Sequence, residues 1–206
     1  MPVLDTITSD LDWRESEIAS LRLALQSSSS IQKRALLRAA WAMLYAHYEG
    51  FCKNALTAFY DHVARSGIAC QLLPDATRLL ALQKSINYMR KKEIDQIYSE
   101  VINFEENHLQ SSPIFPEVDT DSNLWPSKLK KLLEQADLNT DKISEHRAKL
   151  RTLVARRNEI AHGERDIIEE VEYYQSYEEA VYEVLYDLAY QIDRRLSSPP
   201  YGDAEP

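Results

Sequence analysis

Apolar residues recur along most of this chain at the three-to-four-residue spacing of amphipathic helices. Leu11, Ile18, Leu21 and Leu25 predict a first helix over 5–26. Four serines, 27–30, then form a short loop whose last member can cap the next helix. The longest pattern runs over 31–66, with Leu37, Leu44, Phe51 and Ala55 on one stripe and Gly67 at its end. Pro74 opens a shorter helix to about Ser85. A patchier stretch with the basic cluster Arg90-Lys91-Lys92 extends to about Phe104, and 105–127, holding Pro113, Pro116 and Pro126, reads as irregular. Leu129, Leu132 and Leu133 mark a small helix over 127–135. Ile143, Leu150, Leu153, Val154 and Ile160 mark one over 141–162. Val171, Tyr174, Val181, Leu185, Leu188 and Ile192 mark the last, over 167–196. No alternating strand pattern and no internal repeat is present. The expected fold is therefore all-α. Only about four residues join the last two long helices, which makes them antiparallel neighbours. The tail after Leu196 is expected to be mobile.

Composition narrows this further. At 206 residues the chain suits one domain, with a core over about 31–195 flanked by the N-terminal helix and the tail 197–206. No apolar run reaches the length of a membrane span, and 1–30 lack the apolar region of a secretion signal. Cys52 and Cys70 fall in or beside helical patterns and read as reduced core thiols of a cytoplasmic protein. The net charge of −9 argues against broad coating of nucleic acid. It is unevenly spread: Glu164 to Asp187 holds nine acidic residues against Arg165, a net −8. The remainder is near neutral and can carry local basic patches, such as Arg147, Lys149, Arg151, Arg156 and Arg157. The acidic segment reads as a solvated helix face or as a site for a basic partner.

One run carries candidate chemistry: Arg157-Asn158-Glu159-Ile160-Ala161-His162-Gly163. Its spacing alone says little. With fourteen arginines and five histidines, chance puts a histidine five places after some arginine about a third of the time. Cations near a helix C-terminus and a glycine just beyond it also make an ordinary helix end. Positions five apart lie about 140° apart on an ideal helix, a gap that arginine's length can span.

The identities within the run, together with two further segments, give more. Arg157-Asn158-x-x-Ala161-His162 resembles the signature of the HEPN superfamily: arginine, a polar residue, then histidine four to six positions on. Tyr45-Ala46-His47-Tyr48-Glu49-Gly50-Phe51 and Ser122-Asn123-Leu124 resemble segments of one bacterial HEPN branch. The likeness covers about 31–195 in the same order. It implies a bundle of four or five helices that dimerises, with two signature motifs meeting across a two-fold axis in one composite cleft. Many active members are metal-independent RNases serving as toxins in toxin–antitoxin, abortive-infection or anti-phage systems. Others have lost catalysis and bind a nucleotide, RNA or protein. In members silenced by a nucleotidyltransferase, an adenylylated tyrosine stands two residues after the histidine. Here that residue is Glu164, so that control is not implied.

On this reading Arg157 and His162 are the catalytic pair. His162 exchanges protons, and Arg157 binds the scissile phosphate. Asn158, His47 and Glu49 are supporting candidates. His47, Gly50 and Asn54 follow i, i+3, i+7 spacing on an otherwise apolar helix, with Gly50 placed to admit another helix. From the residues alone, His47 reads more simply as a hydrogen-bonded core residue and Glu49 as one half of an ion pair. His62, His108 and His146 lack metal-ligand spacing, and no cofactor is implied. Tyr182, Tyr186 and Tyr190 form a stripe suited to core or dimer packing. The expected partners are a second copy, an RNA substrate and a possible antitoxin or neighbouring-gene protein, with no membrane.

Overall fold

A computed structural model describes residues 2–165 and 170–202. Every regular element among them is helical: α1 (Pro2–Ser27), α2 (Ser30–Arg65), α3 (Asp75–Met89), α4 (Ile94–Ile102), α5 (Pro126–Gln135), α6 (Asp141–Glu145), α7 (Arg147–Ala161) and α8 (Val171–Leu196). A 3-10 turn at Cys70–Leu72 and a π-helical turn at Glu105–Leu109 complete the set. None of these helices is long and apolar enough to cross a membrane.

Helix α2 is the centre of the bundle, because its apolar residues point in more than one direction. Leu37, Trp41, Leu44, Tyr48, Phe51, Leu56 and Phe59 are all buried, and α1, α7 and α8 pack around it. Side-chain pairs fix the directions. Asp10 meets Asn54 while Glu17 meets His47, so α1 runs antiparallel to α2. Asn139 meets Gln191, Lys142 and His146 meet Glu183, and Lys149 reaches the Ser176 carbonyl. The α6–α7 stretch therefore runs antiparallel to α8, as the short connection requires. Arg22 to Glu178 and Glu15 to Tyr186 set α1 against α8 in the same sense.

Several local expectations are corrected. The cap of α2 is Ser29 rather than Ser30: its backbone N–H donates to Gln32 Oε1 at 3.1 Å. The expected single helix over 141–162 is two, broken at His146, whose backbone (φ −94°, ψ 11°) leaves the helical region. The break costs little, since His146 still donates to Lys142 O and accepts from Leu150 N, and its ring reaches Glu183 at 3.0 Å. The irregular 105–127 stretch begins with the π-helical turn. The tail is docked as far as Gly202: Tyr201 packs edge-on against Phe59 at 5.7 Å and lies under the Arg195 guanidinium. Residues 203–206 of that tail, and 167–169 of the last expected helix, lie outside the described residues.

Candidate functional site

The end of α7 is built as a glycine-capped helix terminus. Ala161 is its last helical residue, and His162 caps it at φ −87° and ψ 6°. Gly163 adopts φ +86°, a left-handed conformation that glycine reaches without steric cost. Gly163 N–H donates to Ile160 O at 3.1 Å and Glu164 N–H to Glu159 O at 2.9 Å, satisfying the terminal carbonyls in the Schellman pattern. His162 thus leaves the helical path, and its imidazole is exposed. The chain then turns back toward α2, where Arg34 donates to Arg165 O at 3.2 Å and Arg38 to Glu164 O.

Arg157 lies half-buried one turn earlier, and neutral groups hold it. Its Nη1 donates to Asn158 Oδ1 at 2.9 Å and to Asn123 Oδ1 at 3.2 Å. The guanidinium lies 4.7 Å from the centre of the Tyr45 ring, at cation–π distance. None of these contacts is a carboxylate, so the positive charge is oriented without being neutralised. Asn123 comes from a turn in which Asp121 (φ 54°) and Ser122 (φ 61°) both take left-handed backbone, a costly conformation for non-glycine residues. Tyr45 fixes the exit of that turn, its hydroxyl accepting Leu124 N–H at 2.9 Å. Burial first, then the neighbouring Glu49 carboxylate, pushes the Tyr45 phenol up to about 12 against the opposing pull of Leu124 N–H and Arg157. Tyr45 therefore stays neutral beneath the arginine.

The five candidates separate. Arg157 and Asn158 touch each other and share the end of α7 with His162. Glu49 joins them indirectly, through Tyr45. His47 turns instead to α1, where its Nδ1 lies 3.2 Å from Arg14 Nη1 and its Nε2 lies 3.1 Å from Glu17. Arginine can only donate, so Nδ1 accepts and the ring is neutral with its proton on Nε2. Burial foremost, then the Arg14 charge, holds the His47 pKa below its ordinary value, against the weaker pull of Glu17 and Asp10. Asp10 receives Arg14 through both carboxylate oxygens at 3.1 Å. Gly50 is what admits this cluster, since a Cβ there would stand 3.0 Å from Arg14 Nη1. The close approach expected at Gly50 is therefore made by an arginine of α1.

Sequence reasoning set Asn123 and Tyr45 within familiar segments without giving them a role at the site, and it missed Arg38. Their link to α7 is long-range, and only the fold displays it. The tyrosine stripe divides: Tyr182 packs against the core, while Tyr186 and Tyr190 are exposed. The acidic segment is partly used internally, with Glu178 buried against Arg22 and Glu183 shared by Lys142 and His146. Glu145, His146 and Glu183 come close enough to share an ion, yet Lys142 Nζ already bridges the two carboxylates at 2.9 and 3.1 Å. Cys52 and Cys70 are buried free thiols. A concavity of about 510 Å³ lined by Asp141, Lys142, Tyr190 and Arg194 includes neither Arg157 nor His162.

No curated protein and no solved structure gives a significant match to the chain. A family model does, described as HEPN_MAE_28990-like HEPN, and it spans residues 3–201. That match takes in α1 and the docked Tyr201 as well as the Arg157–His162 run, and the chain belongs to the HEPN_MAE_28990-like HEPN family.

Proposed function

We propose that the protein is a homodimeric, metal-independent endoribonuclease whose working residues are Arg157 and His162, with Asn158 in support. The observation that carries this reading is the state of Arg157. Two amide oxygens and a neutral ring aim its guanidinium without cancelling its charge. An arginine kept for structure is ordinarily paired with a carboxylate. One held by neutral groups is a ready receptor for a phosphate, with its remaining N–H donors unspent.

The chemistry balances without a metal. The ribose 2′-oxygen attacks the adjacent phosphorus, and the bond from phosphorus to the 5′-oxygen breaks. The products are a 2′,3′-cyclic phosphate and a 5′-hydroxyl. A neutral imidazole takes the 2′ proton and an imidazolium gives one to the departing 5′-oxygen. His162 fits either task, since histidine's ordinary pKa lies near neutrality and this ring is exposed. A dimer supplies both at once, from His162 of one subunit and the partner subunit's His162. Arg157 stabilises the charge that grows on the phosphate oxygens. The open, convex setting of His162 suits a cleft completed by a second copy. Toxin or anti-phage roles, with an antitoxin or neighbouring-gene protein as partner, follow from the family reading.

Incubating the purified chain with tRNA and mRNA in EDTA tests this. The expected result is cleavage leaving cyclic phosphate ends, abolished in Arg157→Ala. Equal cleavage by that variant overturns the proposal. The exposed acids of α8 favour a second reading, a non-catalytic module that binds a protein. Inactivity on every RNA together with a stable protein complex selects it.

A further inference from the structure

Helix α4 has no buried residue. Ile94, Tyr98, Val101 and Ile102 are 81%, 68%, 60% and 61% exposed and recur at helical spacing, so they form one apolar stripe facing outward. Each such side chain gains about 1.5–3 kcal/mol when taken out of water, and a contiguous exposed stripe marks an interaction surface.

The charges flanking the stripe identify what covers it. Arg90 and Lys91 are exposed just before α4, and Glu105 and Glu106 are exposed just after it. Among the described residues none of these four makes an ion pair. Their positions are symmetric about Tyr98. Ile94 and Ile102 lie four positions to either side, Lys91 and Glu105 seven, Arg90 and Glu106 eight.

We infer that α4 docks on α4 of a second copy, antiparallel, with the two-fold axis at Tyr98. In that register Tyr98 meets its own counterpart and Ile94 meets Ile102, while Lys91 faces Glu105 and Arg90 faces Glu106. This is an isologous contact, in which one patch complements itself. A parallel arrangement would set base against base and acid against acid. A different protein would require neither this self-complementary charge order nor its centre on an exposed tyrosine. The contact uses no residue of the proposed active site and goes beyond that reading.

Cysteine cross-linking of the full chain reads the register directly, because native Cys52 and Cys70 are buried. Under mild oxidation Tyr98→Cys forms a disulfide-linked dimer, and Ser99→Cys does not. Ile94→Cys and Ile102→Cys each fail alone and cross-link when mixed. Like positions there stand about 12 Å apart along the helix, beyond disulfide reach. Sedimentation supplies a second arm. The double variants Arg90→Glu/Lys91→Glu and Glu105→Lys/Glu106→Lys each weaken self-association at least about tenfold, and their equimolar mixture restores it. Ile94→Cys linking to itself, Tyr98→Cys linking no better than Ser99→Cys, or charge variants that associate like wild type, overturn the inference. Arg157→Ala leaves the cross-link intact, so the contact and the nuclease reading fail separately.

Discussion

Helix α2 serves two polar clusters, and they treat an arginine in opposite ways. On the face toward α1, Arg14 is buried, bound through two hydrogen bonds to Asp10 and backed by a neutral His47. On the face toward α7, Arg157 is half-buried and touches only neutral groups, and the nearby His162 is exposed. The first cluster is electrically closed. Its charges are matched, its histidine is desolvated, and water has little left to reach. The second is open, with a positive charge oriented but unanswered and an imidazole free to exchange protons. Both pairs are an arginine and a histidine, so residue type does not separate structure from chemistry. What separates them is the presence or absence of a carboxylate and access to water.

The comparison can be broken from either side. The largest effect is expected at the open cluster. Arg157→Lys keeps the charge but loses the forked geometry, and cleavage should fall about 10²–10³-fold with the unfolding midpoint unchanged. At the closed cluster Arg14→Ala leaves a half-buried Asp10 and an unpaired His47 Nδ1. It should cost about 3 kcal/mol in denaturant unfolding, without changing cleavage per folded molecule. Asn123→Ala removes one of two amide oxygens on Arg157 and should slow cleavage about tenfold, mainly through the catalytic step. Gly163→Ala forces a side chain into left-handed backbone at the α7 cap and should cost about 1 kcal/mol in stability.

The smallest effect is in pH. His47 has a lowered folded-state pKa, so the unfolded chain binds the extra proton first. Its contribution to stability is complete above its ordinary value near 6.5 and is lost as pH falls from there through the lowered value. His47→Gln should flatten that part of the acid limb of stability, read as unfolding midpoints from pH 7 downward.

Much of the scaffold was readable because helical periodicity and punctuation act locally. The stripes of α2, α7 and α8 and the turn at Gly163 follow from residues within one or two turns of each other. The break at His146 was not readable, because it rests on a contact with Glu183 on another helix. The exposed stripe of α4 looked like an ordinary amphipathic pattern, since spacing says that a face exists and not what covers it. The site divides in the same way. The cap places His162, but the restraint on Arg157 comes from Tyr45 and Asn123, which are brought in by tertiary packing. His47 sits two residues from Tyr45, and a helix sends those positions to different faces, so proximity in sequence joined it to a site that the fold separates from it.

The most direct test sets one histidine against the other. His162→Ala and His47→Gln are assayed side by side for RNA cleavage in EDTA and for unfolding midpoint. The account predicts that His162→Ala loses cleavage while keeping its midpoint, and that His47→Gln keeps cleavage per folded molecule while its midpoint shifts. Wild-type cleavage by His162→Ala, or loss of cleavage in a fully folded His47→Gln, would contradict it.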